Sequence, residues 1–165
     1  ISNYNAKQTK KAVEIAEKMG VDLLLNQYNY SIFDRWSEKE NLLGTLKEAG
    51  MGSIIYSPLA QGLLTDKYLG GIPKDSRAAK ESGFLKEDSI TEEKLEKIRK
   101  LNDIAADRGQ SLSQMALAWI LEQGATSVLV GASKVEQIIE NAGTLKNTGF
   151  TTEELAAIEA LVPGT

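Results

Sequence analysis

The sequence predicts an α/β fold built on a parallel sheet. Three observations predict it. Short apolar segments alternate with longer amphipathic ones. The short segments are near-continuously apolar, as strands covered on both faces are. The stretches between them are long enough to be right-handed helical crossovers. Two architectures satisfy the pattern, a doubly wound sheet and an arc of a (β/α)8 barrel. Three strands plus the tail of a fourth at Ile1 make about half a barrel, since a whole one takes about 250 residues.

The elements follow in order. Asn5 caps a helix over about residues 6–19, with Ala12, Val13, Ala16 and Met19 on one face and Gly20 as its stop. Residues 21–26 hold Leu23, Leu24 and Leu25 in a row, a strand buried on both faces. Residues 38–49 form a second helix, with Leu42, Leu43, Leu46 and Ala49 inward and Gly50 as its end. The next strands are 53–56 and 127–130. Between them lie helices near 91–108 and 112–123, the second opened by the capping box Ser111-x-x-Gln114. Ser133-x-x-Glu136 opens a helix with Val135, Ile138, Ile139 and Ala142 at helical spacing, and Thr151-x-x-Glu154 opens a last one through about Leu161. No Ser/Pro-rich linker divides residues 1–165, which read as one domain.

Composition narrows the chemistry. The chain has 165 residues, 42% hydrophobic and 25% charged, enough for one sizeable core. It contains no cysteine and no histidine, so thiolate nucleophiles, imidazole bases and ordinary zinc sites are excluded and no metal site is expected. A net charge of −4 is a poor match to phosphate-backbone binding, so no nucleic-acid partner is expected. No apolar run approaches the roughly 18 residues of a membrane span, and no signal peptide is visible. The expected setting is the cytoplasm, away from membranes. Opening on Ile1 and closing on Pro163-Gly164-Thr165, the chain reads as part of a larger product.

In either architecture functional residues gather at the carboxyl ends of the strands. There the sequence places Ser2-Asn3-Tyr4, Asn26-Gln27-Tyr28-Asn29, Tyr56-Ser57-Pro58-Leu59-Ala60-Gln61-Gly62 and Gly131-Ala132-Ser133-Lys134. Amides and hydroxyls dominate, which suits oriented hydrogen bonding to a neutral polar ligand such as a carboxamide better than proton abstraction. Tyr56 can present a ring face to a flat heterocycle. Taken singly, each of these residues is more often a loop cap or core filler; four clusters at strand ends shift the balance. Gly131-Ala132-Ser133 runs into a helix whose free N–H groups favour an anion, a weak signal on its own. Gln137, Glu140 and Asn141 form one stripe on that helix. Residues 62–87 lack a period and carry Lys67, Lys74, Arg77, Lys80 and Lys86, either a ligand-binding loop reaching a phosphate or a solvated one. Neither Gly-x-Gly-x-x-Gly nor a P-loop is present.

On these motifs the sequence resembles the carboxyl-terminal half of the aldo-keto reductases, NADP(H)-dependent (β/α)8 TIM barrels. The matching runs are Ile1-Ser2-Asn3-Tyr4, Asn26-Gln27-Tyr28-Asn29, residues 56–65, Gly71-Ile72-Pro73, Ser76-Arg77, and residues 127–133 with Gln137-x-x-Glu140-Asn141. They span nearly the whole chain. The nearest look is to the branch of bacterial glyceraldehyde 3-phosphate reductases and potassium-channel beta subunits. Many members of the family carry an arginine where Gln137 stands; this branch has glutamine.

The resemblance implies the end of strand five through strand eight and the final helices of the barrel, on its NADP-binding side. It implies that Ser2, Asn3 and Gln27 hold the nicotinamide carboxamide and that Tyr56 stacks on the ring. Ser57, Pro58, Leu59, Ala60 and Gly62 would wrap the pyrophosphate, with Lys67 and Arg77 reaching the phosphates and the adenosine end. Gly131, Ser133, Gln137, Glu140 and Asn141 would hold the 2′-phosphate and adenine. The family's proton-donating tyrosine and its lysine, aspartate and histidine partners belong to the amino-terminal half, so no catalytic residue is expected here. The implied whole is a reductase of small carbonyl substrates: aldehydes, ketones, sugar phosphates or methylglyoxal. The alternative is a redox-sensing, NADP(H)-binding regulatory subunit. A half-barrel has two open sheet edges and an uncovered inner layer, so the expected partners are the missing amino-terminal half or a second copy of the chain.

Overall fold

A computed structural model describes residues 1–70 and 90–164. Helix α1 (Ala6–Lys18) leads to strand β1 (Leu25–Asn29), then α2 (Trp36–Lys39), α3 (Leu42–Glu48) and β2 (Gly52–Tyr56). Two 3₁₀ turns follow, Ala60–Gly62 and Asp66–Tyr68. The remainder is α4 (Glu92–Asp107), α5 (Leu112–Glu122), β3 (Ser127–Val128), α6 (Val135–Gly143), a 3₁₀ turn Thr144–Lys146, and α7 (Thr152–Leu161). The three strands form one parallel sheet in the order β1-β2-β3, with Gln27 opposite Ile54 and Asn29 opposite Tyr56. The α/β class with a parallel sheet is therefore observed.

Alternation fixes the sheet's faces. Asn26, Tyr28, Ser53 and Ile55 are buried, while Gln27, Asn29, Ile54 and Tyr56 are half-buried on the other side. The buried face packs into one core with Leu46, Leu64, Ile98, Leu101, Met115 and Trp119. Two half-buried arginines tie the helices together. Arg35 pairs with Glu38 at 2.7 Å and with Glu159 at 2.6 Å, donates to the Val162 carbonyl at 2.9 Å, and lies 5.2 Å from the Trp119 ring centroid. Arg108 pairs with Glu154 and covers the Phe150 ring at 3.6 Å. No helix among the described residues is long and apolar enough to cross a membrane.

Three of the four expected N-caps form. Asn5, Ser111 and Thr151 each accept the N3 amide, and Gln8, Gln114 and Glu154 return the bond. Gly20 and Gly50 end their helices at φ +66° and +67°, a conformation costly for any residue with a Cβ.

Five expectations are corrected. Strand β1 begins at Leu25, four residues after the expected start at residue 21, and Leu24 (73% exposed) and Leu25 (37%) are not buried on both faces. The helix expected at 38–49 is two helices, because Asn41 adopts left-handed backbone (φ +48°) between α2 and α3; Ala49 is exposed. Met19 lies at the C-cap of α1, 71% exposed. The strand at 127–130 stops at Val128, where its register with Ile54 and Ile55 ends; Leu129 still donates its N–H to Ile55 O at 2.8 Å. Ser133 does not cap α6, which starts at Val135 behind Lys134; Val135, Ile138, Ile139 and Ala142, at helical spacing, are exposed.

Candidate functional site

The carboxyl end of β2 runs straight into strained backbone. Ser57, Ala60 and Gln61 have φ of +53°, +46° and +60°, and Gly62 has +100°. Each left-handed non-glycine residue costs on the order of 1 kcal/mol, and such strain collects at functional sites. The loop is held by its own hydrogen bonds: Ala60 N–H to Ser57 O at 3.0 Å, Gly62 N–H to Leu59 O at 2.8 Å, and Thr65 Oγ1 to Gly62 O at 2.7 Å. Leu63, Leu64 and Tyr68, all buried, pin its far end to the core.

Opposite this loop stands the segment after β3. Leu129, Val130, Gly131 and Ser133 lead into α6, and Gln137, Glu140 and Asn141 continue the same wall one and two turns on. The cleft between the two walls has a volume of about 530 Å³, within the range of small-molecule sites. Ser113, from the first turn of α5, also lines it. Ser133 donates its backbone N–H to Gln137 Oε1 at 2.8 Å and its hydroxyl to the same atom at 3.3 Å. Among the described lining residues Lys67 is the one cation; Asp66 and Glu140 are the acids.

A second cluster lies across the neighbouring strand ends. Ser2 bridges to Gln27, the Ser2 hydroxyl donates to Gln27 O at 3.2 Å, and Asn3 N–H does so at 2.7 Å. Asn3, left-handed at φ +57°, accepts from Tyr56 Oη at 3.0 Å. This cluster does not line the cleft. It joins it through the Tyr56–Ser57 peptide, as Tyr56 shares the open sheet face with Gln27.

Of the residues expected from the sequence, Ser57, Pro58, Leu59, Gly62, Lys67, Gly131, Ser133, Gln137, Glu140 and Asn141 line the one cleft. Ala60 sits within its loop without lining it, and Ser2, Asn3, Gln27 and Tyr56 form the adjoining cluster. Arg77 lies outside the described residues, as do Gly71-Ile72-Pro73 and Lys74, Lys80 and Lys86. No group of His, Cys, Asp or Glu among the described residues could hold a metal ion. Two phenols with raised pKa lie elsewhere, in the core. Burial pushes Tyr28 up to about 12, opposed by the Ser53 hydroxyl. Burial and the Glu38 carboxylate push Tyr30 higher still. Both stay neutral and inert at physiological pH. Oriented hydrogen bonding and anion contact are thus what the cleft can supply.

Residues 1–163 match the family model described as the Aldo/keto reductase family. The chain belongs to this family. It is 47% identical over 163 residues to an L-glyceraldehyde 3-phosphate reductase of Escherichia coli O157:H7, a match covering 96% of the chain and 47% of that protein. The reductase of the same name from Escherichia coli K12 is 46% identical, with the same coverage. A probable voltage-gated potassium channel subunit beta from Oryza sativa subsp. japonica is 36% identical over 166 residues, covering 98% of the chain and 51% of that protein. The chain spans about half the length of these curated relatives.

Within this aldo/keto reductase chain the cleft has lining residues that were not among those expected: Gln61, Thr65, Asp66, Tyr68, Ser113, Leu129 and Val130. Gln61 and Thr65 fall inside the motif at 56–65, and Leu129 and Val130 end a strand, so position alone signals them. Ser113 had no signal. It lies inside the capping box Ser111-x-x-Gln114, whose spacing signals only a helix start.

Proposed function

We propose that this chain is the NADP(H)-binding half of a (β/α)8 aldo/keto reductase, from the end of strand five through the final helices. The observation that carries the reading is the cleft between the strained 57–68 loop and the 131–141 wall. Its lining fits the phosphate and adenosine end of a dinucleotide, with Lys67 for a phosphate, and the adjoining strand-end cluster has the amides and hydroxyls for a carboxamide. Ser2, Asn3 and Gln27 would orient the carboxamide, and Tyr56, held by Asn3, would offer its ring face. Ser57, Pro58, Leu59, Ala60 and Gly62 would follow the pyrophosphate. Gly131, Ser133, Gln137, Glu140 and Asn141 would take the 2′-phosphate and adenine, with Arg77 joining from outside the described residues.

When bound, NADPH supplies a hydride to the carbonyl carbon of an aldehyde or ketone. The residues of this chain bind and orient; none of them delivers the proton to the carbonyl oxygen. Catalysis therefore requires the remaining half of the barrel, which would supply the donor and cover the open edges, with pairing of two copies as the other way to cover them. Small aldehydes and sugar phosphates are the substrate class, by analogy with the glyceraldehyde 3-phosphate reductases. The cytoplasm is the proposed setting.

The test is fluorescence titration with NADPH, then turnover with glyceraldehyde 3-phosphate or methylglyoxal, on the full protein carrying this sequence. Tight binding with turnover supports the reductase; absence of binding overturns the reading. A second reading, an NADP(H)-sensing regulatory subunit, is favoured by the likeness to the channel beta subunit. Tight binding with negligible turnover selects it.

A further inference from the structure

We propose that Ser113 is a positioning residue. From the first turn of α5 it fixes the Glu140 carboxylate on the wall of the cleft, and so governs how tightly the adenosine end of a dinucleotide is held. The proposal rests on the NADP(H) reading above.

Ser113 is buried at 6% exposure, and its hydroxyl donates to Glu140 Oε1 at 2.9 Å. Its own oxygen lies 3.0 Å from Ser111 Oγ, the N-cap of the same helix, which restricts the hydroxyl rotor. One residue further on, Gln114 Nε2 donates to the Glu140 carbonyl at 2.8 Å. Glu140 is thus held through both side chain and backbone by a single helical turn. Gly143 makes this seat possible: a Cβ there would come within 2.5 Å of Gln114 Nε2. The carboxylate also faces the amino end of α5, where the dipole favours negative charge.

Without Ser113, Glu140 is an exposed side chain on a helix surface, and its carboxylate has no other hydrogen bond among the described residues. Its rotamers would have to be ordered when ligand binds, which weakens binding. The second oxygen stays free to accept from a donor in the cleft, and the 6-amino group of adenine is such a donor.

The experiment compares Kd values on the full protein for NADPH and for reduced nicotinamide mononucleotide, which lacks the adenosine half. Ser113→Ala is expected to weaken NADPH by about tenfold, the effect of losing one charge-assisted bond. It should leave the mononucleotide unchanged, and Ser113→Thr should restore NADPH binding. In a Glu140→Ala background, Ser113→Ala should cost nothing further. Unchanged NADPH affinity in Ser113→Ala overturns the proposal, as does equal loss for both ligands or an undiminished loss without Glu140. Wild-type protein that fails to bind NADPH overturns the dinucleotide reading itself, and the assignment with it.

Discussion

Replacing Lys67 by alanine removes the one cation among the described residues that line the cleft, while Asp66 and Glu140 remain. If a dinucleotide phosphate lies there, the change deletes an attractive charge and leaves two repulsive ones. A charge-assisted hydrogen bond contributes about 1.5–3 kcal/mol. Lys67 is exposed, so solvent screening places it at the low end. About 1.5 kcal/mol corresponds to roughly a tenfold rise in the Kd for NADPH. Screening supplies an internal control. The Debye length shrinks from about 30 Å at 0.01 M salt to about 10 Å at 0.1 M, so the deficit should narrow as salt rises. Asp66→Asn should move affinity the opposite way. The assay is NADPH fluorescence titration of wild type and both variants at the two ionic strengths. A Kd within twofold of wild type at low salt for Lys67→Ala refutes the reasoning, and so does a deficit that salt does not touch.

Three stability predictions follow from the fold. The Tyr28 phenol, raised to about 12 by burial, favours the protonated folded state; its contribution is complete below the unfolded value near 10 and is lost as pH rises toward 12, roughly 2–3 kcal/mol. Urea unfolding from pH 9 upward should show a loss in wild type that is smaller by this amount in Tyr28→Phe, where buried Tyr30 still titrates. Arg108→Ala removes the ion pair to Glu154, bonds to Gly149 O at 2.9 Å and Gln110 Oε1 at 3.0 Å, and the Phe150 stack, at a cost of about 3 kcal/mol by denaturant titration. Arg108→Lys keeps the charge without the fork and should fall between. Gly62→Ala forces a Cβ onto backbone at φ +100°, where its nearest neighbour is 3.9 Å away. The cost, about 1–2 kcal/mol, is therefore backbone strain and not a clash, and calorimetry should register it.

How much the sequence disclosed follows from how local each cause is. Asn5, Ser111 and Thr151 act within one helical turn, so their capping boxes are legible from spacing alone. Ser133-x-x-Glu136 has the same spacing and fails, because the Gln137 amide takes the Ser133 N–H and hydroxyl instead. The leucine run at 23–25 suggests a strand because apolar runs report burial; where pairing begins depends on β2, 27 residues further on at Gly52 opposite Leu25. Asn41 breaks a helix by adopting a backbone that no pattern of apolar residues announces. In the site, the strand-end amides stand out because the parallel topology sends every strand end to one side. Ser113 reaches the cleft across 27 residues of sequence to Glu140, a tertiary contact with no local trace.

That contact bears on how the cleft wall is held. Helix α6 supplies Gln137, Glu140 and Asn141, yet none of its residues is buried, whereas eight of the eleven in α5 are. Val135, Ile138 and Ile139 are 66%, 58% and 68% exposed. A helix without a buried residue draws little from the hydrophobic effect, so its anchorage to α5 falls on the hydrogen bonds from Ser113 and Gln114 to Glu140. In the 165-residue chain α6 should therefore open far below the global unfolding free energy. Hydrogen exchange tests this directly: α6 amides should exchange well ahead of those of α5. If the remaining half of a barrel covers the apolar face of α6, the same amides should become protected in the full protein even before NADPH is added. Ligand should then protect them further by mass action. Exchange from α6 as slow as from α5 in the chain alone refutes the account of its anchorage. Exchange that stays fast in the full protein refutes the proposed covering of that face.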